Sequence, residues 1–278
     1  MACIIRNMTL PEMEIAIYLA YKEGWNPGTT DGLAFYEADP KGFFIAEIDS
    51  EVVGCISAVK YSDDYGFIGF YVVDGSHRGS SAGTQLALVA LKYLEGCNIG
   101  IDGVLSRVNN YERLNFKFAY KNARFETVGS KYNIDKRIFP LATVSPELIY
   151  EYDLQCFPAP RKSFLKAWFS MPETYSLAYV EDGNIYGYGA IRKCRTGYKI
   201  GPLFADKREI AESLYKALAT KAVDELIYLD IPTINTEALE IATKYDMKMV
   251  FETARMYSSH TPDIRIDKIF GITSFELG

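Results

Sequence analysis

Apolar positions follow two rhythms along the chain. Met13, Ile17, Ala20 and Tyr21 recur at helical spacing, and the stretch Thr9-Leu10-Pro11-Glu12 before them carries an N-cap threonine, an early proline and an early carboxylate. A helix is predicted to about Glu23, ended by Gly24. A loop, Trp25-Asn26-Pro27-Gly28, follows, and Asp31 is placed to cap a second helix that Asp39-Pro40 breaks. The rhythm then becomes that of strands. Residues 43–48 and 52–61 predict a hairpin turned by Asp49-Ser50-Glu51, and residues 67–73 a further strand. A small, polar loop from Asp74 to Gly83 leads into a helix with apolar Leu86, Leu88, Val89, Leu91 and Leu94. Residues 103–108 predict a strand, 109–114 a helical turn and 116–128 strand material. With an opening strand over residues 2–6, the order is β-α-α-β-β-β-α-β-α-β-β.

Residues 129–144 have no clear period and contain Pro140, so a boundary is expected near residue 140, separating domains 1–140 and 141–278. The second half echoes the first at an offset of 132 residues. Trp25 falls on Phe157, Asp39-Pro40 on Met171-Pro172, Ile45-Ala46 on Leu177-Ala178, and Asp74 on Asp206. Arg124-Phe125-Glu126-Thr127 is echoed by Val250-Phe251-Glu252-Thr253. The echo fails at one place. Asp74 is followed by GSHRGSSAGTQ, whereas Asp206 is followed at once by Lys207-Arg208-Glu209-Ile210. A second half that keeps the strand and helix but lacks the loop is not expected to bind a phosphate cofactor in the same way.

Composition narrows the classes of function. The 278 residues are 49% hydrophobic and 24% charged, as in a globular protein, and no apolar run reaches the roughly 20 residues that span a bilayer. No signal peptide is read at the N-terminus, so no membrane partner is expected. Five scattered cysteines with no CxxC pair, and only two histidines, give no zinc pattern and no metal expectation, and fit a reducing, cytoplasmic location. A net charge of −6 argues against nucleic acid as the main partner. A homodimer is left open.

Residues 66–94 form a strand, a small-residue loop and a helix N-terminus. First-turn N–H groups lack helical partners and the dipole is positive there, so the segment reads as an anion site. Its loop, His77-Arg78-Gly79-Ser80-Ser81-Ala82-Gly83-Thr84, resembles the pyrophosphate loop of the GNAT superfamily of acyl-CoA-dependent N-acetyltransferases, Arg/Gln-x-x-Gly-x-Gly/Ala, with Ser81 in place of the first glycine. Tyr111-Glu112-Arg113-Leu114-Asn115-Phe116 resembles the family's Tyr-x-x-Leu-Gly-Phe, with Asn115 for glycine. The likeness covers residues 2–128, and the tandem halves look like the subgroup with a second GNAT-like C-terminal domain. It implies an α/β fold of α+β type, in which each of two tandem domains is a mixed, mostly antiparallel twisted sheet flanked by helices. It also implies acetyl-CoA as cofactor. The backbone of Phe70, Tyr71, Val72 and Val73 would pair with the pantetheine arm as an added strand edge. Arg78, Gly79, Ser80, Ser81, Ala82, Gly83 and Thr84 would hold the pyrophosphate, Asn109 would bond the cofactor arm, and Tyr111 would protonate the departing thiolate. A core aromatic is the other reading of Tyr111, and a turn residue that of Asn109.

The base is open. Relatives place a glutamate on the strand before the loop, but residues 66–73 hold no carboxylate. Asp31, Glu37 and Asp102 are candidates, each also readable as a cap or surface charge. Trp25, Asn26 and Asp31 lie where relatives place acceptor-binding segments, and Arg192, Arg195 and Arg255 would select an acidic acceptor if they reached a shared cleft. The expected function is acetyl transfer from acetyl-CoA to a primary amine of a small-molecule or amino-acid-like acceptor by direct attack on the thioester. A catalytically inactive CoA-binding or regulatory protein is the alternative, and a partner-binding tandem domain a third reading.

Overall fold

The computed structural model describes residues 3–278. The expected start of the first strand at Ala2 lies outside the described residues. The first half contains β1 (Cys3–Asn7), α1 (Met13–Lys22), α2 (Asp31–Ala38), β2 (Phe43–Ile48), β3 (Glu51–Lys60), β4 (Tyr65–Val73), α3 (Ala82–Tyr93), β5 (Asn98–Val104), α4 (Val108–Glu112) and β6 (Lys117–Val128). The second contains β7 (Ile138–Pro140), α5 (Pro146–Cys156), α6 (Lys162–Trp168), β8 (Thr174–Glu181), β9 (Asn184–Lys193), β10 (Tyr198–Ala205), α7 (Arg208–Ala219), β11 (Leu226–Pro232), α8 (Thr236–Lys244), β12 (Lys248–Tyr257) and β13 (Ile269–Gly271). Residues 117–128 form one long strand where two were expected, because β6 is paired along both edges and has no reason to break.

Local chemistry explains the element boundaries. The Glu12 carboxylate accepts from the Thr9 N–H at 2.8 Å and opens a short 3-10 turn before α1. Asp31 does not cap α2 as expected. Thr30 is the N-cap, and the Asp31 carboxylate instead accepts from the Gly28 N–H at 2.8 Å and from the second half's Arg192 at 2.7 Å.

All strands join one mixed, mostly antiparallel sheet, ordered β1-β2-β3-β4-β5-β12-β6-β11-β10-β9-β8-β7, with β13 beside β10. The halves exchange their last long strands. β12 of the second half pairs with β5 of the first, and β6 of the first pairs with β11 of the second. The exchanged strands pair with each other at the centre, from Lys248↔Glu126 to Tyr257↔Lys117. Two buried ion pairs pin this arrangement symmetrically. Arg255 on β12 lies opposite Asp102 on β5 and grips it with two hydrogen bonds of 2.8 and 2.6 Å. Arg124 on β6 lies opposite Asp230 on β11 and grips it at 2.6 and 2.8 Å. Burial works against ionising Asp230, but Arg124 overcomes it and holds the carboxyl below its usual range.

The helices cover the sheet, and one core spans both halves. Phe35 of α2 stacks on Trp168 of α6 with ring centroids 5.7 Å apart, and both are fully buried with Met13, Ile17, Phe70 and Leu277. The Trp168 indole N–H donates to the Gly201 carbonyl at 3.1 Å, so this large aromatic leaves no polar atom unpaired. The halves therefore fold as one body, tied by sheet and core alike.

Arg255→Ala would strand the Asp102 carboxylate, whose side chain is 0% exposed. It is expected to destabilise the protein by about 3–5 kcal/mol, read as a lower urea midpoint. Arg265→Ala, which breaks a pair with Asp267 exposed on both sides, should leave the midpoint unchanged.

Candidate active site

β4 and β5 run parallel and pair from Tyr65↔Asn98 to Ile68↔Ile101, and there the pairing ends. Just beyond, β4 carries a bulge. Its register against β3 shifts between Cys55 and Ser57, and Phe70 takes φ +47°, which a non-glycine residue adopts at a cost. The two strands diverge into an open cleft. Ile68, Gly69, Phe70 and Tyr71 form one wall, and residues 101–104 with Tyr111 the other. The second half closes the far side with Phe251 and Thr253 of β12 and with Phe275 and Glu276 of the segment after β13.

The loop beside this cleft ends in an uncapped helix. Ser81 is the N-cap of α3 but makes no capping bond, and the first turn carries no acidic residue. Gly83 and Thr84 thus present N–H groups with no partner in the helix. Ser81 keeps φ −71°, so serine for glycine costs nothing in backbone strain. Gly79 has φ +86° with open space where a Cβ would stand, and Gly83 sits so close to Tyr71 that a Cβ would lie 3.2 Å from the phenol oxygen. Tyr71 fixes the loop against the strand by donating to the Gly83 carbonyl at 2.8 Å. Arg78 is half exposed and is held by the Glu23 carboxylate and the Val73 carbonyl. The strand edge, Gly-bearing loop and helix start fit a pyrophosphate with an extended arm.

Tyr111 sits on α4 with its ring against Gly103, where a Cβ would meet it at 2.4 Å. Burial pushes its phenol above the ordinary value, with Tyr71 adding to the shift and Arg107 opposing it. The phenol is therefore neutral near neutral pH. Asn115 takes φ +66°, the conformation for which the related motif uses glycine. Asn109 is exposed on α4.

The acceptor-side residues separate. Trp25 is partly buried and lines the cleft, while its carbonyl accepts from Arg124 at 2.6 Å and Lys199 at 3.4 Å. Asn26 faces away and exchanges two hydrogen bonds with the Thr196 backbone, and Asp31 is locked to Arg192. Both join the halves. Glu37 lies on α2, outside the cleft lining. Asp102 lines the cleft with its carboxylate occupied by Arg255 and Asn122. Arg192, Arg195 and Arg255 do not converge. Two are in buried ion pairs, and Arg195 is exposed over the rings of Tyr18 and Tyr21. Glu276 was not among the residues expected from sequence. Its signal was a lone carboxylate in the mixed stretch Ile272-Thr273-Ser274-Phe275-Glu276-Leu277, which has no period to mark it.

The second half shows what the same fold does without a cleft. β10 and β11 pair in parallel from Tyr198↔Ile227 to Ile200↔Leu229 and then part, as β4 and β5 do. Here β13 fills the gap. It pairs with β10 at Leu203↔Gly271 and Phe204↔Ile269, and the Ile272 N–H donates to the Asp230 carbonyl of β11 at 2.9 Å. With α7 starting two residues after Asp206, both the groove and the anion loop of the first half are absent from the second.

Residues 10–116 match the Acetyltransferase (GNAT) family, and residues 149–271 match an Acetyltransferase (GNAT) domain. The chain belongs to the GNAT superfamily, with two GNAT domains in tandem. It is 27% identical over 272 residues to a holothin acyltransferase of Pseudoalteromonas sp. (strain SANK 73390), covering 97% of this chain and 92% of that one. Its fold is similar to a candidate acetyltransferase from Pyrococcus horikoshii (TM-score 0.85, 22% identity, 99% and 96% of the two chains). It is also similar to a tandem GNAT protein from the clavulanic acid biosynthesis pathway (TM-score 0.65, 11% identity, 94% and 100%). Among the described residues, no helix is long and apolar enough to cross a membrane, and no cluster of His, Cys, Asp or Glu could hold a metal ion.

Gly83→Glu puts a carboxylate at the helix start where the anion would lie. Acetyl-CoA binding measured by calorimetry should weaken more than about tenfold, or by about 1.4 kcal/mol, with the melting temperature little changed. Retained affinity would refute the assignment of this loop.

Proposed function

We propose that the protein transfers an acetyl group from acetyl-CoA to the primary amine of a small acceptor, with the first domain holding the cofactor and the second walling the acceptor side. The observation that carries this reading is the contrast between the two grooves: the first is open beside an uncapped helix N-terminus, the second is filled by β13. The pantetheine arm would lie along Phe70, Tyr71, Val72 and Val73, and the pyrophosphate over residues 78–84. The acyl carbonyl would then sit near the bulge at Phe70, within the cleft that Tyr111 lines. When bound, the thioester supplies the activated acyl group. The neutral phenol of Tyr111 donates a proton to the departing thiolate.

Of small-molecule and amino-acid-like acceptors, the lining favours the first. Trp25, Phe251 and Phe275 offer aromatic faces, Asp102 and Glu276 are the acidic groups, and among the described residues no cationic side chain lines the cleft. A cationic amine on an apolar body is matched there, whereas an acceptor carboxylate would be desolvated with nothing to pair with. Similarity to a holothin acyltransferase supports acyl transfer and makes holothin one acceptor to try.

Free CoA release over a panel of arylalkylamines, holothin and amino acids tests the reading. Amines without a carboxylate should turn over fastest, and Tyr111→Phe should lower kcat by about 100-fold with acetyl-CoA affinity unchanged. Cofactor binding without release on any amine would favour the CoA-binding, non-catalytic reading instead.

A further inference from the structure

The cleft has a carboxylate that the strand before the loop does not supply. After filling the second domain's groove, the chain continues across the first domain's strand β4, and the Glu276 backbone packs on Gly69 so closely that a Cβ there would lie 1.9 Å from the Glu276 carbonyl oxygen. The Tyr61 hydroxyl donates to the Leu277 carbonyl at 3.0 Å and fixes the next residue. Glu276 is 2% exposed and lines the cleft, yet among the described residues neither carboxylate oxygen has a hydrogen-bond partner. A buried ionisable group with no partner is costly for stability and is expected where a ligand completes it.

The competing carboxylates are engaged. Asp102 accepts from Arg255 and Asn122, and Asp31 from Arg192 and Gly28. We infer that Glu276 is the general base of the acyl transfer, delivered to the first domain's cleft by the second domain. This rests on the acyltransferase reading above. In the step, the Glu276 carboxylate takes one proton from the bound ammonium, and the freed nitrogen lone pair attacks the thioester carbon. As the C–N bond forms and the C–S bond breaks, the thiolate takes a proton from Tyr111. The second proton lost by nitrogen restores the phenol through solvent, and Glu276 releases its proton to solvent to reset.

The surroundings suit the role. The charged groups that act on Glu276 are Lys199 on β10, Arg124 on β6, Asp31 on α2 and Arg192 on β9, and Asp102 and Tyr111 line the same cleft. Burial raises its pKa, with Lys199 and Arg124 opposing the shift, and the Lys199 ammonium is itself pushed down by burial and by Arg124. A carboxylate raised above its usual range is a better proton acceptor than an exposed one, while remaining ionised once the pH exceeds that value. The sign follows. Below the raised pKa the base is protonated and the rate falls; above it the rate reaches a plateau.

Glu276→Gln, near-isosteric, tests this in the full chain. Expected are unchanged acetyl-CoA affinity by calorimetry and a kcat lower by about 100-fold or more, with partial recovery in Glu276→Asp. The folded state favours the protonated carboxyl, so ionised Glu276 weakens stability as pH rises through its folded value. The glutamine variant should therefore melt no lower than wild type at pH 8. Wild-type kcat should level off above the Glu276 pKa, whereas the residual glutamine rate should keep rising with hydroxide toward the ordinary amine pKa. Equal kcat and the same pH profile in wild type and Glu276→Gln would overturn the base role and leave the acyltransferase reading standing. Wild type that binds acetyl-CoA but releases no CoA with any amine would overturn that reading, and the base role with it.

Discussion

The structure depends on the reciprocal exchange of β6 and β12. Each exchanged strand carries one buried arginine, and each arginine faces an aspartate on the other half's parallel strand pair: Arg255 on Asp102 and Arg124 on Asp230. An unpaired charge at such depth is costly, so any register that separates these partners is disfavoured. The pairs therefore act as pins as well as glue. They set β12 against β5 and so bring Phe251 and Thr253 into the first domain's cleft. Arg124 extends this control by holding the Trp25 carbonyl at 2.6 Å, which positions an aromatic wall of the same cleft.

The tandem arrangement leaves one parallel strand pair open and the other plugged. Both parallel strand pairs diverge after a few residues, leaving backbone without a ladder partner. Exposed strand edges must be met by something. In the second half the chain meets its own edge with β13. In the first half the edge stays open beside the loop and helix start, as an acyl-CoA site requires. The segment that fills one groove then brings Phe275 and Glu276 to the other, so both halves line that cleft.

Much of this was legible in the sequence wherever the signal is local. Hairpin turns, the helix start at Thr9, the strand–loop–helix around Gly83 and the loss of that loop after Asp206 depend on neighbouring residues. Positive φ at Asn115 and negative φ at Ser81 both follow from what those side chains tolerate. What sequence did not disclose is long-range pairing. β6 and β12 read alike as strands, and nothing in their pattern says that each sits in the other's half. Asp31 and Asn26 looked like acceptor-side residues because they neighbour Trp25; their partners, Arg192 and Thr196, lie more than 160 residues away. Glu276 was invisible for the same reason, since its meaning comes from packing on Gly69.

We propose one acyl-CoA site per chain, in the first domain. Calorimetric titration of the full-length protein with acetyl-CoA, by number of sites, tests it most directly. One site is expected, weakened more than about tenfold by a carboxylate at Gly83 and untouched by substitution on the exposed face of α7. Two equivalent sites, or a single site insensitive to Gly83, would contradict it.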